Sequence, residues 1–284
     1  MTARPPFPTP LARPARWATL LTLAAALLGG CAVTQTTTPG GVPIDISRSA
    51  KGQDSRVLFL ILHYTVADFP ISMKILTERD VSAHYLLSDE NPPRIYRLVD
   101  ENRRAWHSGL SGWKGHRLLN ASSIGIEIVH PGRRRLPDGT EVYVPFPQNQ
   151  IDALIPLVKD IVARHQIRPD RILGHGEVTP SYKEDPGPTF PWRLFAELGI
   201  TPPWPDPDRV AAARAVYDVE LPDALWFQER AAQHGFQIER TGQFDEQTRR
   251  VLMNFQMRYR PDDYSGQADA ETAALLAVLT APAP

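Results

Sequence analysis

Apolar and polar positions follow two regimes along this chain. From Ser55 to about Gly199, strand-like and helix-like patterns are interspersed. Val57-Leu58-Phe59-Leu60-Ile61-Leu62 is continuously apolar, as in a strand buried on both faces, and His63 stands at its end. Ser123 to Val129 alternates: Ile124, Ile126 and Ile128 share one face, Gly125 and Glu127 the other. Ile151, Leu154, Ile155, Val158, Ile161 and Val162 recur at helical spacing, and Pro156 within that run predicts a kink. Strands interspersed with helices predict an α/β domain, a mixed central β-sheet flanked by helices.

After a proline-rich join, Thr201-Pro202-Pro203-Trp204-Pro205-Asp206-Pro207, the pattern becomes helical to the end. This tail holds a weak internal repeat. Thr241-Gly242-Gln243-Phe244-Asp245-Glu246-Gln247-Thr248 is echoed by Ser265-Gly266-Gln267-Ala268-Asp269-Ala270-Glu271-Thr272. Each copy reads as a glycine turn and a helix start capped by Asp245 or Asp269. The helix after the first copy carries Val251, Leu252, Phe255 and Tyr259 on one side. A second, small three-helix C-terminal domain is expected.

The head of the chain stands apart. Arg4, Arg13 and Arg16 precede an apolar run from Trp17 to Leu28, which ends in Gly29-Gly30-Cys31. A basic start, a short apolar core and small residues make a secretory signal, too short for a comfortable membrane span. The segment Leu28-Gly29-Gly30-Cys31 resembles the lipobox of bacterial lipoproteins, in which the cysteine is lipidated and becomes the new N-terminus. The alternative is an ordinary signal peptide with a chance cysteine. Ala32 follows the cysteine in place of an aspartate. By resemblance to Gram-negative sorting, that implies the periplasmic face of the outer membrane, with acyl chains on Cys31 as a stable anchor. The expected organisation is a lipoprotein signal at 1–31, a Thr/Pro/Gly/Ser-rich flexible tether at 32–54, the α/β domain at 55–200, a linker at 201–210 and a helical domain at 211–284.

Composition removes some chemistry and leaves other chemistry open. The 284 residues are 42% hydrophobic with a formal net charge of -1, so no strong field draws the chain to nucleic acid. Cys31 is the single cysteine, so an intramolecular disulfide is excluded and a metal site must use histidine, carboxylate and water. The strand ends offer His63, Glu127 and His175. The loop Gly174-His175-Gly176-Glu177-Val178-Thr179-Pro180-Ser181-Tyr182-Lys183-Glu184-Asp185-Pro186-Gly187-Pro188 adds Lys183 and Asp185. Two imidazoles and one carboxylate suit zinc with a fourth position for water. Glu127 on an otherwise apolar strand can take a proton, and Lys183 can reach an oxyanion. Each also has an ordinary reading: His63 and His175 as structural hydrogen-bonders, and Asp185 as the opening of a turn. His84 can line the cleft. The loop from His107 to His116, with Trp113, can form a cleft wall for sugar or peptide, although Trp106 has an equally good structural reading. His130, His165 and His234 read as surface or structural.

Five segments, in order, carry a resemblance: Leu62-His63-Tyr64-Thr65, Ser82-Ala83-His84-Tyr85, Ala105-Trp106-His107-Ser108-Gly109, Asn120 through Ile128, and Gly174-His175 through Asp185-Pro186-Gly187-Pro188. Over about Arg56 to Leu198 the chain resembles the type 2 N-acetylmuramoyl-L-alanine amidases, relatives of phage T7 lysozyme and the peptidoglycan recognition proteins. The tail from Leu225 resembles the small helical peptidoglycan-binding domain through Leu225-Trp226-Phe227-Gln228-Glu229-Arg230, Gly235-Phe236, Thr241 to Asp245 and Phe255-Gln256. The resemblance implies one zinc ion on His63, His175 and Asp185, Glu127 as catalytic carboxylate and Lys183 as stabiliser of the transition state. It also implies cleavage of the amide between N-acetylmuramic acid and L-alanine in peptidoglycan or muropeptides. Glu177 stands where some relatives carry aspartate and is the alternative carboxylate ligand. A monomer is expected. A non-catalytic wall binder and a zinc peptidase are the competing readings. The tail is expected to be separable: deletion after Asp206 should weaken wall binding and spare activity on small muropeptides.

Overall fold

The continuous apolar run near residue 60 becomes strand β1 (Phe59–Tyr64), fully buried over its first five residues. In the computed structural model, which describes residues 34–282, it joins β2 (Tyr85–Leu87), β3 (Ile95–Arg97), β4 (Ser123–Ile128) and β5 (Ile172–Gly174) in one sheet. The order across the sheet is β5-β1-β4-β2-β3. The first four of these run parallel, and β3 closes one edge antiparallel to β2. Register sets the strand ends level: Gly174 lies beside Leu62, and His63 beside Glu127.

Each face of the sheet has its own cover. Helix α1 (Phe69–Glu78) starts at Asp68, whose side chain accepts from the Ile71 amide. Helix α2 (Gln148–His165) is continuous across Pro156. It packs Ile151, Leu154, Val158 and Ile161 against Leu60, Leu62, Ile124, Ile126 and Ile128. The one-turn helix α3 (His175–Val178) follows β5, and α4 (Trp192–Glu197) follows the loop. On the opposite face, Phe59, Ile61 and Leu173 pack with Trp113 and Val178 against Phe227, Phe236, Val251, Leu252 and Phe255. A largely parallel sheet needs both faces covered. Here the C-terminal helices supply much of the second cover.

Four helices follow the join among the described residues: α5 (Pro207–Tyr217) leads out of it, and α6 (Ala224–His234), α7 (Glu246–Tyr259) and α8 (Ala270–Thr280) make the expected three-helix unit. The expected linker at 201–210 is correspondingly shorter. Asp206 accepts from the Asp208 and Arg209 amides, with Pro207 in the first turn, so prolines that read as a join also start a helix. Asp245 and Asp269 cap α7 and α8 by accepting from Thr248 and Thr272.

The two expected domains do not stand apart, since the chain from Asp54 onward forms one compact unit. The Lys114 amide donates to Gly235 at 2.8 Å. A Cβ on Gly235 would lie 2.5 Å from the Trp113 ring, so this contact admits only glycine. Helix α7 is buried without a break from Val251 to Arg258. Its polar side chains Asn254 and Arg258, which give no apolar signal, pack on the rest of the unit.

The segment at 34–53 belongs to a separate unit. Part of the expected flexible tether is an exposed two-stranded hairpin, Gln35–Thr37 with Pro43–Asp45. The signal segment and Cys31 lie outside the described residues.

Candidate metal and catalytic site

Parallel strands deliver their C-terminal ends to one edge of the sheet, where the groups meet. His63 ends β1, Glu127 lies beside it on β4, and His175 follows β5 on the other side. Asp185 returns through the loop, closed by the Gly176 amide donating to the Asp185 carbonyl at 2.9 Å. His63 Nδ1 lies 3.0 Å from His175 Nδ1 and 3.1 Å from Asp185 Oδ2, and the latter two are 3.3 Å apart. All three residues are buried. Ligand atoms about 2.0–2.1 Å from a tetrahedral zinc ion lie about 3.3 Å from one another. The donor set and its spacing therefore fit such a metal.

Hydrogen bonding prepares His63 for that role. Ser123 Oγ donates to the Leu119 carbonyl at 2.6 Å, so it must accept from His107 Nε2 at 3.0 Å. His107 Nδ1 is then the acceptor for the His63 Nε2 proton, also at 3.0 Å. This chain leaves His63 Nδ1 with its lone pair facing Asp185 and His175. Burial, reinforced by the neighbouring His175, holds His63 down at about 4, so it is neutral as a ligand must be. Burial opposes the Asp185 anion, and only protonated imidazoles at His175 and His63 would outweigh it and hold its carboxyl well below the usual range. His107→Ala is expected to weaken metal binding about 10- to 100-fold. Chelator competition checks this, and unchanged affinity would remove His107 from the site.

A cavity of about 430 Å³ opens over the cluster, lined in part by Glu127, Lys183, Trp106 and Arg250. Glu127 Oε1 is 3.9 Å from His63 Nδ1, and its buried Oε2 has no hydrogen-bond partner among the described residues. Burial, with Asp185 adding and Lys183 opposing, pushes its carboxyl up to about 8. A half-buried carboxylate whose buried oxygen finds no partner among the described residues is costly and points to a use.

Known proteins resemble this chain in sequence and in fold. A family model of N-acetylmuramoyl-L-alanine amidases matches residues 53–188, and one of a peptidoglycan binding domain matches residues 221–276. The chain is 41% identical to N-acetylmuramoyl-L-alanine amidase AmiD of Escherichia coli over 91% of its own length and 95% of that protein's. The chain belongs to the N-acetylmuramoyl-L-alanine amidase family. A solved structure of AmiD from E. coli, a complex with anhydro-N-acetylmuramic acid-L-Ala-D-γ-Glu-L-Lys, is similar at a TM-score of 0.75 and 38% identity. The likeness covers 87% of this chain and 96% of that one. AmpDh3 of Pseudomonas aeruginosa, in complex with anhydromuramic pentapeptide, also scores 0.75 at 36% identity, covering 83% of this chain and 96% of that one.

In this amidase several residues that read as site candidates in the sequence fall elsewhere. Glu177 does not face the cluster: its Oε2 accepts from the Gly174 amide at 2.8 Å and from Arg258 at 2.7 Å. The His107–His116 loop is not a cleft wall as a whole. Trp113 is 2% exposed beneath Phe236, while Trp106, 53% exposed, does line the cavity. His107 sits behind His63, and its motif alone gave no sign of that relay. His84 is buried, its Nδ1 accepting from the Gly125 amide and its Nε2 facing the Arg103 carbonyl, so it braces β4. Arg250 comes to the cavity from α7, and nothing in the local sequence announced it.

Proposed function

We propose that this amidase hydrolyses the bond between the lactyl group of N-acetylmuramic acid and L-alanine with one zinc ion held by His63, His175 and Asp185. The observation that carries the reading is the convergence of two Nδ1 atoms and a carboxylate oxygen at 3.0–3.3 Å beneath a cavity that also holds Glu127 and Lys183. Bound there, zinc supplies a Lewis acid at the scissile carbonyl and acidifies water. Glu127 in its ionised form takes the proton of the attacking water and returns it to the leaving amine nitrogen. Lys183 offers positive charge to the oxyanion as the carbonyl becomes tetrahedral. The C–N bond then breaks, leaving a lactyl carboxylate and a peptide that begins with L-alanine.

The substrate class is peptidoglycan or its muropeptides, in keeping with the muropeptides bound to the two solved relatives. Mass spectrometry of digests should find free lactyl ends and intact peptides starting at L-alanine. Activity should vanish with a chelator and return with zinc. Cleavage between two amino acids would favour a peptidase, and no product from zinc-loaded protein would favour a binder.

The apolar head and Cys31 support a lipid anchor on the periplasmic face of the outer membrane. Cys31→Ser should release the protein from membranes on fractionation. Retention in the membrane fraction would sink the anchor.

A further inference from the structure

The domain similar to peptidoglycan-binding modules is built into the back of the catalytic loop. Three side chains of α7 grip the segment that carries His175, Lys183 and Asp185. Arg258 pairs with Glu177 at 2.7 Å, and both are at most 6% exposed. Arg258 also reaches the Ile172 carbonyl at 3.3 Å, and its guanidinium lies 4.0 Å over the Trp192 ring. Glu177 in turn accepts from the Gly174 amide, so this pair pins both sides of His175. Asn254 Nδ2 donates to the Lys183 carbonyl at 3.2 Å. Arg250 Nε donates to the Pro180 carbonyl at 3.0 Å and another of its nitrogens to Lys183 at 3.4 Å. The fit is close: a Cβ on Gly176 would fall 1.9 Å from Asn254 Oδ1.

We propose that α7 of the C-terminal domain is a positioning element of the amidase site, in which Arg258 sets His175 through Glu177 while Asn254 and Arg250 set Lys183 through its backbone. The physical argument is one of reach. The loop from Thr179 to Asp185 has no regular structure of its own, yet it must hold one ligand and one ammonium at fixed places. Groups held within about 0.5 Å of productive geometry need such supporting contacts. A buried, charge-assisted pair is a directional clamp, and a side-chain amide on a carbonyl fixes the peptide to which Lys183 is attached. A module that only bound wall would need none of these contacts.

The inference rests on the roles given above to Lys183 and the three ligands, and the test separates the two. Asn254→Ala is measured for kcat and KM on a soluble anhydromuropeptide, for zinc affinity by chelator competition, and for binding to insoluble wall. We expect kcat to fall about tenfold, with KM, zinc affinity and wall binding within twofold. In a Lys183→Ala background the same change should cost nothing further, since Asn254 acts through that residue. An equal loss in that background, a loss that follows wall binding, or no loss overturns the Asn254 half. Full activity of Lys183→Ala alone overturns that half together with the role given to Lys183. The Arg258 half is read on metal without turnover. Glu177→Gln with Arg258→Gln keeps a neutral buried hydrogen bond and is expected to bind zinc 10- to 100-fold more weakly. Arg258→Lys, which keeps the charge but loses the planar guanidinium stacked on Trp192, serves if the double variant does not fold, with about tenfold expected. Unchanged zinc affinity in the folded variant overturns this half.

Discussion

Glu127→Ala is expected to keep the fold and the metal while losing about 10²- to 10⁴-fold in kcat, the range that a positioned general base contributes. The ligand cluster of His63, His175 and Asp185 does not include Glu127, so metal content measured by elemental analysis should stay near one ion per chain. Stability should hold or rise slightly, because the substitution removes a half-buried carboxylate whose buried oxygen has no partner among the described residues. KM should change little if the carboxylate acts on the proton and not on substrate binding. Full turnover in this variant would sink the role given to Glu127. Loss of metal alongside activity would recast it as a ligand.

A fragment ending at Asp206 is expected not to fold as a soluble, active enzyme, which reverses the expectation drawn from the sequence. Removing α5 to α8 uncovers Phe59, Ile61, Trp113, Leu173 and Val178 together. Full exposure would cost roughly 1.5–3 kcal/mol for each large apolar side chain, about 8–15 kcal/mol in all. That is comparable with the whole stability of a domain, about 5–15 kcal/mol. Expression and urea unfolding check this. A fragment that is monomeric, unfolds cooperatively and turns over muropeptides at the full rate would mean that the helical region is separable after all.

The sequence by itself determined the strands, the faces they bury and the groups at their ends, because these are written in local period and composition. The run before His63, the alternation around Glu127 and the ordered motifs through Asp185 were each legible within a few residues. So were the caps at Asp245 and Asp269, which act on amides three residues away. The helix at Pro207–Tyr217 was missed because its starting prolines also make a good linker. Only the tertiary structure decided what crosses long distances in the chain. His107 and His63 are 44 residues apart, and Glu177 and Arg258 are 81 apart. Neither pair has a periodicity that could announce it. On α7 the apolar stripe foretold one buried face, and nothing in it foretold the burial of Asn254 and Arg258 against the catalytic loop. Burial turns a polar side chain into a specific partner, and burial on both sides of a helix is a property of what surrounds it.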